Sequence, residues 1–163
     1  MKHEYTVDLS TSGINKLNGV LGGYKRWLNQ KSDELAKRLA DMGAVRAEIN
    51  FDAAYYDGDE DHHVEVIPVG KMQYKVRASG TTVLFVEFGA GLIGYGYDAA
   101  EINNMGPGTY PGKGLWNRPD GWYYTRSDGE SHHSHGNPPN APMYESVKEL
   151  EAEFTRLVQE VFK

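Results

Sequence analysis

Apolar residues at Ile14, Leu17, Leu21, Tyr24, Leu28, Leu35, Leu39, Met42, Val45 and Ile49 recur at spacings of three, four or seven, the signature of one continuous helical face. A straight helix from Ile14 to Asn50 would measure about 55 Å, whereas a compact chain of 163 residues has a radius of gyration of about 15 Å. The helix must therefore bend, or project until it meets a neighbour. Ser32, followed by Asp33 and Glu34, can recap a second helix after a break near Gln30–Ser32, and we expect a bend there rather than a rod. Thr11 or Ser12 can cap the start. Gly19, Gly22 and Gly23 each cost about 1 kcal/mol relative to alanine in a helix interior, which makes the first half the weaker.

Beyond an acidic turn at Tyr56–Asp61, three strands are expected: His63–Val69, Met72–Ser79 and Thr82–Phe88. A two-residue loop at Gly80-Thr81 would pair Ala78 with Val83, Val76 with Phe85 and Tyr74 with Glu87, placing apolar residues of both strands on one face. For the earlier hairpin, a two-residue loop would turn Glu65 onto that face. A three-residue loop with Gly70 in the left-handed conformation instead matches Val64 with Val76 and Val66 with Tyr74. The third strand carries Leu84, Val86 and Phe88 on its other face, so it should be central in the sheet or covered by a partner.

Pro142–Lys163 reads as an amphipathic helix with Met143, Val147, Leu150, Phe154, Leu157 and Val161 on one stripe. Pro142 suits its first position, Asn140 precedes it, and Glu145 and Glu149 lie toward the positive end of the helix dipole. One antiparallel meander of three or four strands between a long N-terminal and a C-terminal helix makes a single α+β domain over residues 1–163. Within it, 12–50 is helical, 63–88 is meander and 142–163 is the closing helix.

Between them, 89–140 holds 11 of the 19 glycines, with five tyrosines and two tryptophans. Flexible linkers lack such aromatics. Gly121–Thr125 can add a fourth strand, and Gly106–Gly114 is a run of turns. Aromatic, glycine-punctuated loops order against a partner or fold back over their own sheet. Candidate contact residues are Leu84, Val86, Phe88, Tyr95 and Tyr97, together with Tyr110, Trp116, Trp122 and Tyr123.

Composition removes several function classes. With no cysteine there is no disulfide scaffold, thiolate zinc site or cysteine nucleophile, and the chain suits a reducing cytoplasm. Met1–Ser10 lacks the apolar core of a signal peptide, and no stretch approaches the roughly 20 apolar residues of a membrane helix. A net charge of −6 opposes general nucleic-acid binding.

Histidine supplies the case for an enzyme. His132, His133 and His135 follow Asp128 and Glu130, and His62-His63 follow Asp57, Asp59, Glu60 and Asp61; imidazoles and carboxylates of this kind can hold a divalent metal for hydrolysis. No HExxH helix supports them, and the acidic run lacks EF-hand spacing. Ser127, Ser131, Asp128 and His132 contain the letters of a catalytic triad without its flanking geometry. A buried Glu87 could serve as a general acid with a raised pKa, or could accept hydrogen bonds from Tyr74 or from the Gly89-Ala90-Gly91 turn. Trp116, Trp122, Tyr123 and Tyr124 could stack sugars; with only Lys113, Arg118 and Arg126 nearby they do not make a nucleic-acid groove.

The strand end Phe85-Val86-Glu87-Phe88-Gly89-Ala90-Gly91, the glycine- and tyrosine-rich insertion, the run His135-Gly136-Asn137-Pro138-Pro139-Asn140-Ala141-Pro142-Met143-Tyr144 and the closing helix, taken in that order after the long first helix and the meander, span nearly the whole chain. Together they resemble the gene-product-ten-like tail-component family of long-tailed, lambdoid bacteriophages and prophages. Ala90 stands where family members often carry threonine, and Ser131-His132-His133-Ser134 is particular to this chain. The resemblance implies a non-enzymatic virion protein of the head–tail neck or tail-completion site, assembled in the host cytoplasm, with no cofactor and no membrane contact. It implies a homo-oligomeric ring that meets other neck and tail proteins, with Glu87, Gly89, Gly91, His135, Gly136 and Asn137 as structural motif residues. Closing a ring requires two different patches on each subunit. An acidic lumen would let DNA pass without adhering.

Overall fold

In the structure, a computed structural model that describes residues 6–54, 56, 61–89, 120–137 and 139–163, the N-terminal periodic stretch is one uninterrupted helix, α1 (Thr11–Asp52), about 63 Å long. Its cap lies one residue ahead of the expected pair. Ser10 Oγ accepts the Gly13 amide at 3.0 Å, while the Ser10 amide donates to Asp8 Oδ1 at 2.8 Å. The expected break at Gln30–Ser32 does not occur. Lys31 and Arg38 both pair with Glu34, at 3.1 and 2.7 Å, and Lys37 pairs with Asp41 at 2.6 Å, so ion pairs three and four residues apart run along the helix just beyond that point. Tyr74 Oη adds a hydrogen bond to Asp33 at 3.2 Å.

The first hairpin joins β1 (His63–Gly70) to β2 (Gln73–Ser79) and presents Val64, Val66, Tyr74, Val76 and Ala78 on one face, as the alternation requires. Its register corrects the expected one. Val64 opposes Ala78 and Val66 opposes Val76, while Gly70 pairs with Gln73 across a two-residue turn, and the ladder shifts between Pro68 and Gly70. The bulge at Val69 reconciles a two-residue turn with an inward Val64/Val66 face, because one extra residue restores the alternation that the turn alone would invert. Met72, not Gly70, takes the left-handed conformation, with φ 56°.

The third strand is not formed. Val83–Phe88 is a short helix, α2, whose buried Val83, Val86 and Glu87 recur at helical spacing. Asp61 anchors its start: one carboxylate oxygen accepts the amide and hydroxyl of Thr81 at 2.6 and 2.7 Å, the other those of Thr82 at 3.2 and 2.9 Å. Val83 and Val86 then join Phe51 in the core, against Ala54, Tyr56, Val64, Ala78 and Met143. The α+β class holds, but the described strands form two separate antiparallel hairpins in place of one meander.

The second hairpin, β3 (Trp122–Thr125) and β4 (Ser131–Ser134), contains the expected Gly121–Thr125 strand. Gly121, with φ 74°, precedes it at a point where a Cβ would lie 2.2 Å from Ser134 O. The final helix, α3 (Pro142–Val161), begins at the expected proline and runs antiparallel to the C-terminal half of α1. At one end Asn50 Nδ2 reaches Pro142 O and Glu149 Oε1, each at 3.4 Å; Arg46 pairs with Glu149 at 3.2 Å; at the other end Trp27 meets Phe162 edge-on at 6.0 Å. Ala40, Gly43 and Ala47 are buried on α1, and small side chains there let the helices approach until Leu150 lies over Gly43. No described helix is long and apolar enough to cross a membrane.

Candidate functional site

Two stretches distant in sequence, 85–89 and 135–144, are brought together at the start of α3. Ala141 occupies the N-cap position in left-handed conformation, φ 56°, and has no side chain able to cap. Glu87 supplies the missing acceptor. Its two carboxylate oxygens accept the amides of Met143 at 2.8 Å and Tyr144 at 3.1 Å, at the positive end of the helix dipole. Asn137 Nδ2 donates to Phe85 O at 2.9 Å and the Asn140 amide donates to Val86 O at 2.9 Å, so three successive residues of α2 hold the segment leading into α3. Gly89, with φ 75°, ends α2, and Gly136, with φ 103°, donates its amide to Ser134 Oγ at 2.9 Å.

Glu87 is only 6% exposed, and burial raises its pKa above the ordinary carboxyl value, opposed by the Met143 and Tyr144 amides and reinforced by nearby Glu145. The raised value agrees with the sequence reading; the partners do not. Tyr74 donates to Asp33, and Glu87 serves a helix start 56 residues further on. A carboxylate committed to two backbone amides is a structural acceptor.

The histidines spread along β4 and beyond it. Tyr123 opposes His133 and Tyr124 opposes His132, so adjacent His132 and His133 project to opposite faces of the hairpin. His133 packs on Tyr123 at 4.7 Å, meets His135 edge-on at 4.7 Å and approaches Asp120 O within 2.8 Å through Nε2. His132 Nε2 is 3.7 Å from Asp128 Oδ2. Among the described residues, no three His, Cys, Asp or Glu side chains converge on a point that could hold a metal ion. Ser131 opposes Thr125, and neighbouring strand positions turn its side chain away from that of His132, which separates this serine from the histidine. Asp128 accepts the Glu130 amide at 2.7 Å within the β3–β4 turn. His62 stacks on Phe51 at 5.0 Å and lies 3.2 Å from Asp52.

Of the candidate contact residues, Val86 and Phe88 are buried within the chain itself, where α2 replaces the expected two-faced strand. Leu84 and Tyr123 are exposed and Trp122 is half-buried. Tyr95, Tyr97, Tyr110 and Trp116, the motif residue Gly91, and Gly106–Gly114 lie outside the described residues, as do Asp57, Asp59 and Glu60. Among the described residues, further exposed apolar side chains lie on α1. Ile14, Val20, Leu21 (55% exposed) and Tyr24 (60%) line the part of α1 that extends past the end of α3. A groove of about 320 Å³ between α1 and α3 is lined by Leu39, Val147, Leu150, Glu151 and Phe154, with Val147 and Phe154 about half exposed. The periodicity of the sequence contained this surface, although it does not reveal which turns remain uncovered. Compared with models of known protein families, curated proteins and solved structures, the chain matches none.

Proposed function

We propose that this chain is a structural subunit of a phage or prophage particle, a ring-forming connector or completion protein of the neck or proximal tail. The observation that carries the reading is the uncovered apolar face on the N-terminal part of α1, where Ile14, Leu21 and Tyr24 face outward on turns that α3 does not reach. Helical turns that carry three glycines and no packed face are marginal in water, so a neighbour covering this face would stabilise the segment. The likeness of 85–91 and 135–144 to the phage tail-component family supports the assignment to neck or tail, and contact between these stretches gives their order a physical purpose: each fixes the other at the start of α3. The net charge of −6 is compatible with DNA passing through the ring without binding.

The test is to tag the chain in bacteria producing the particle, purify the particles and quantify it by mass spectrometry against the capsid protein. We expect a fixed low copy number and, on deletion, heads and tails that accumulate unjoined. Particles that lack the chain and assemble normally without it would refute the proposal.

A further inference from the structure

We infer that subunits join head to tail, with the N-terminal part of α1 from one copy lying in the α1/α3 groove of the next. The inference rests on the assembly reading above and names the contact that would build the ring. Its first support is complementarity of charge. Between Thr11 and Gln30 the charged residues are Lys16, Lys25 and Arg26, with no carboxylate, although the chain as a whole is acidic. Helical spacing places Lys25 beside the Leu21/Tyr24/Leu28 stripe. Among the residues that line the groove, the one charged side chain is a carboxylate. Glu151 stands on its wall, and α3 carries Glu145, Glu149, Glu151, Glu153 and Glu160 against Lys148 and Arg156. Lys148 pairs with Glu145, Arg156 with Glu153 and Glu160, and Arg46 of α1 with Glu149, while Glu151 is exposed to solvent.

The second support is geometric. Leu21 and Leu39 belong to the same unbroken helix and are separated by about 27 Å of it, so the stripe of one chain cannot fold back into its own groove. A second copy can supply it. Pairing two stripes with each other would gather Lys16, Lys25 and Arg26 of both copies, whereas stripe against groove brings a cation to the Glu151 carboxylate. Stripe and groove are different patches, so the contact is heterologous and propagates until rotation closes it into a ring. Helix-in-groove packing of this kind is read by residues three and four apart, which is the spacing of Leu17, Leu21, Tyr24 and Leu28.

The absence of native cysteine makes the test direct. The full-length double variant Leu21→Cys/Val147→Cys, oxidised at high protein concentration, should give a ladder of dimer, trimer and larger species on a non-reducing gel, and neither single variant should. Dimers from Leu21→Cys alone, or a double variant that stays at single-chain size while the wild type is oligomeric by native mass, would overturn the contact and leave the assembly reading standing. Glu151→Lys and Lys25→Glu should each weaken association roughly tenfold, and their combination should restore it. A wild-type chain that remains monomeric at every soluble concentration also overturns the contact; presence in purified particles decides the assembly reading separately.

Discussion

Glu87 Oε2 accepts the amide of Met143 at 2.8 Å, joining the second turn of a short helix to the first turn of the last one across 56 residues of sequence. The same carboxylate takes the Tyr144 amide through its other oxygen at 3.1 Å. A helix whose own N-cap residue is Ala141 thus has its orphan donors satisfied from another element.

Replacing Glu87 with alanine leaves two amides without their acceptor in a buried setting, and we expect a loss of about 2–4 kcal/mol in urea unfolding. Glu87→Gln keeps one acceptor oxygen but turns an amide group toward the second N–H, for a loss of about 1–2 kcal/mol. Equal stability of all three proteins would show that the cap is dispensable.

Stability should depend on pH through two carboxyls whose pKa values are shifted in opposite directions. Burial holds Glu87 above its ordinary value of 4.5, so the native state binds that proton more tightly than the unfolded chain, and stability falls as pH rises from 4.5 through the raised native value. Asp61 is held at about 2 by the Thr81 hydroxyl and amide and by Thr82, so its contribution is complete above 3.8 and is lost as pH falls through 2. Its exposure and solvent screening limit that contribution to about 1 kcal/mol. Unfolding measured against pH should lose its falling limb in Glu87→Gln and its acid limb in Asp61→Asn.

The glycines of α1 should answer alanine and leucine differently. Nothing lies within 4 Å of a Cβ at Gly19, so Gly19→Ala should stabilise the helix by about 1 kcal/mol, visible as slower amide exchange in its N-terminal part. At Gly43 a Cβ would stand 3.0 Å from Leu150 Cδ1, so the propensity gain of alanine is offset by repacking. Gly43→Leu should wedge α1 from α3 and cost about 2–3 kcal/mol.

Gly121 combines φ 74° with a Cβ position 2.2 Å from Ser134 O. Gly121→Ala should therefore open the β3–β4 hairpin, with a cost of more than about 1 kcal/mol and faster exchange of the Trp122–Thr125 amides. An unchanged exchange pattern would mean the hairpin accommodates the methyl group.

Long periodic elements were legible before the structure. The stripes of α1 and α3, the proline at the start of α3, the shared face of Val64, Val66, Val76 and Ala78, and the Gly121–Thr125 strand all follow from local spacing. Short or distant determinants were not. Six apolar-rich residues from Val83 satisfy either period, and what favours helix is the Asp61 carboxylate at its start together with burial of Val83, Val86 and Glu87 on one side. The Val69 bulge shifts a register that alternation alone leaves ambiguous. Glu87 stood out as a carboxylate in an apolar run, but its partners are backbone amides, which carry no signature in side-chain identity.

The bonds from Phe85, Val86 and Glu87 to Asn137, Asn140, Met143 and Tyr144 have an evolutionary consequence. They join residues 85–87 to residues 137–144, so this junction is held wherever the sequence between them drifts. Doubling the length of a flexible closed segment costs only about 0.6 kcal/mol. The sequence between them can lengthen, shorten or change its aromatic content to suit a different neighbour while the bonds that join α2 to the start of α3 are inherited unchanged.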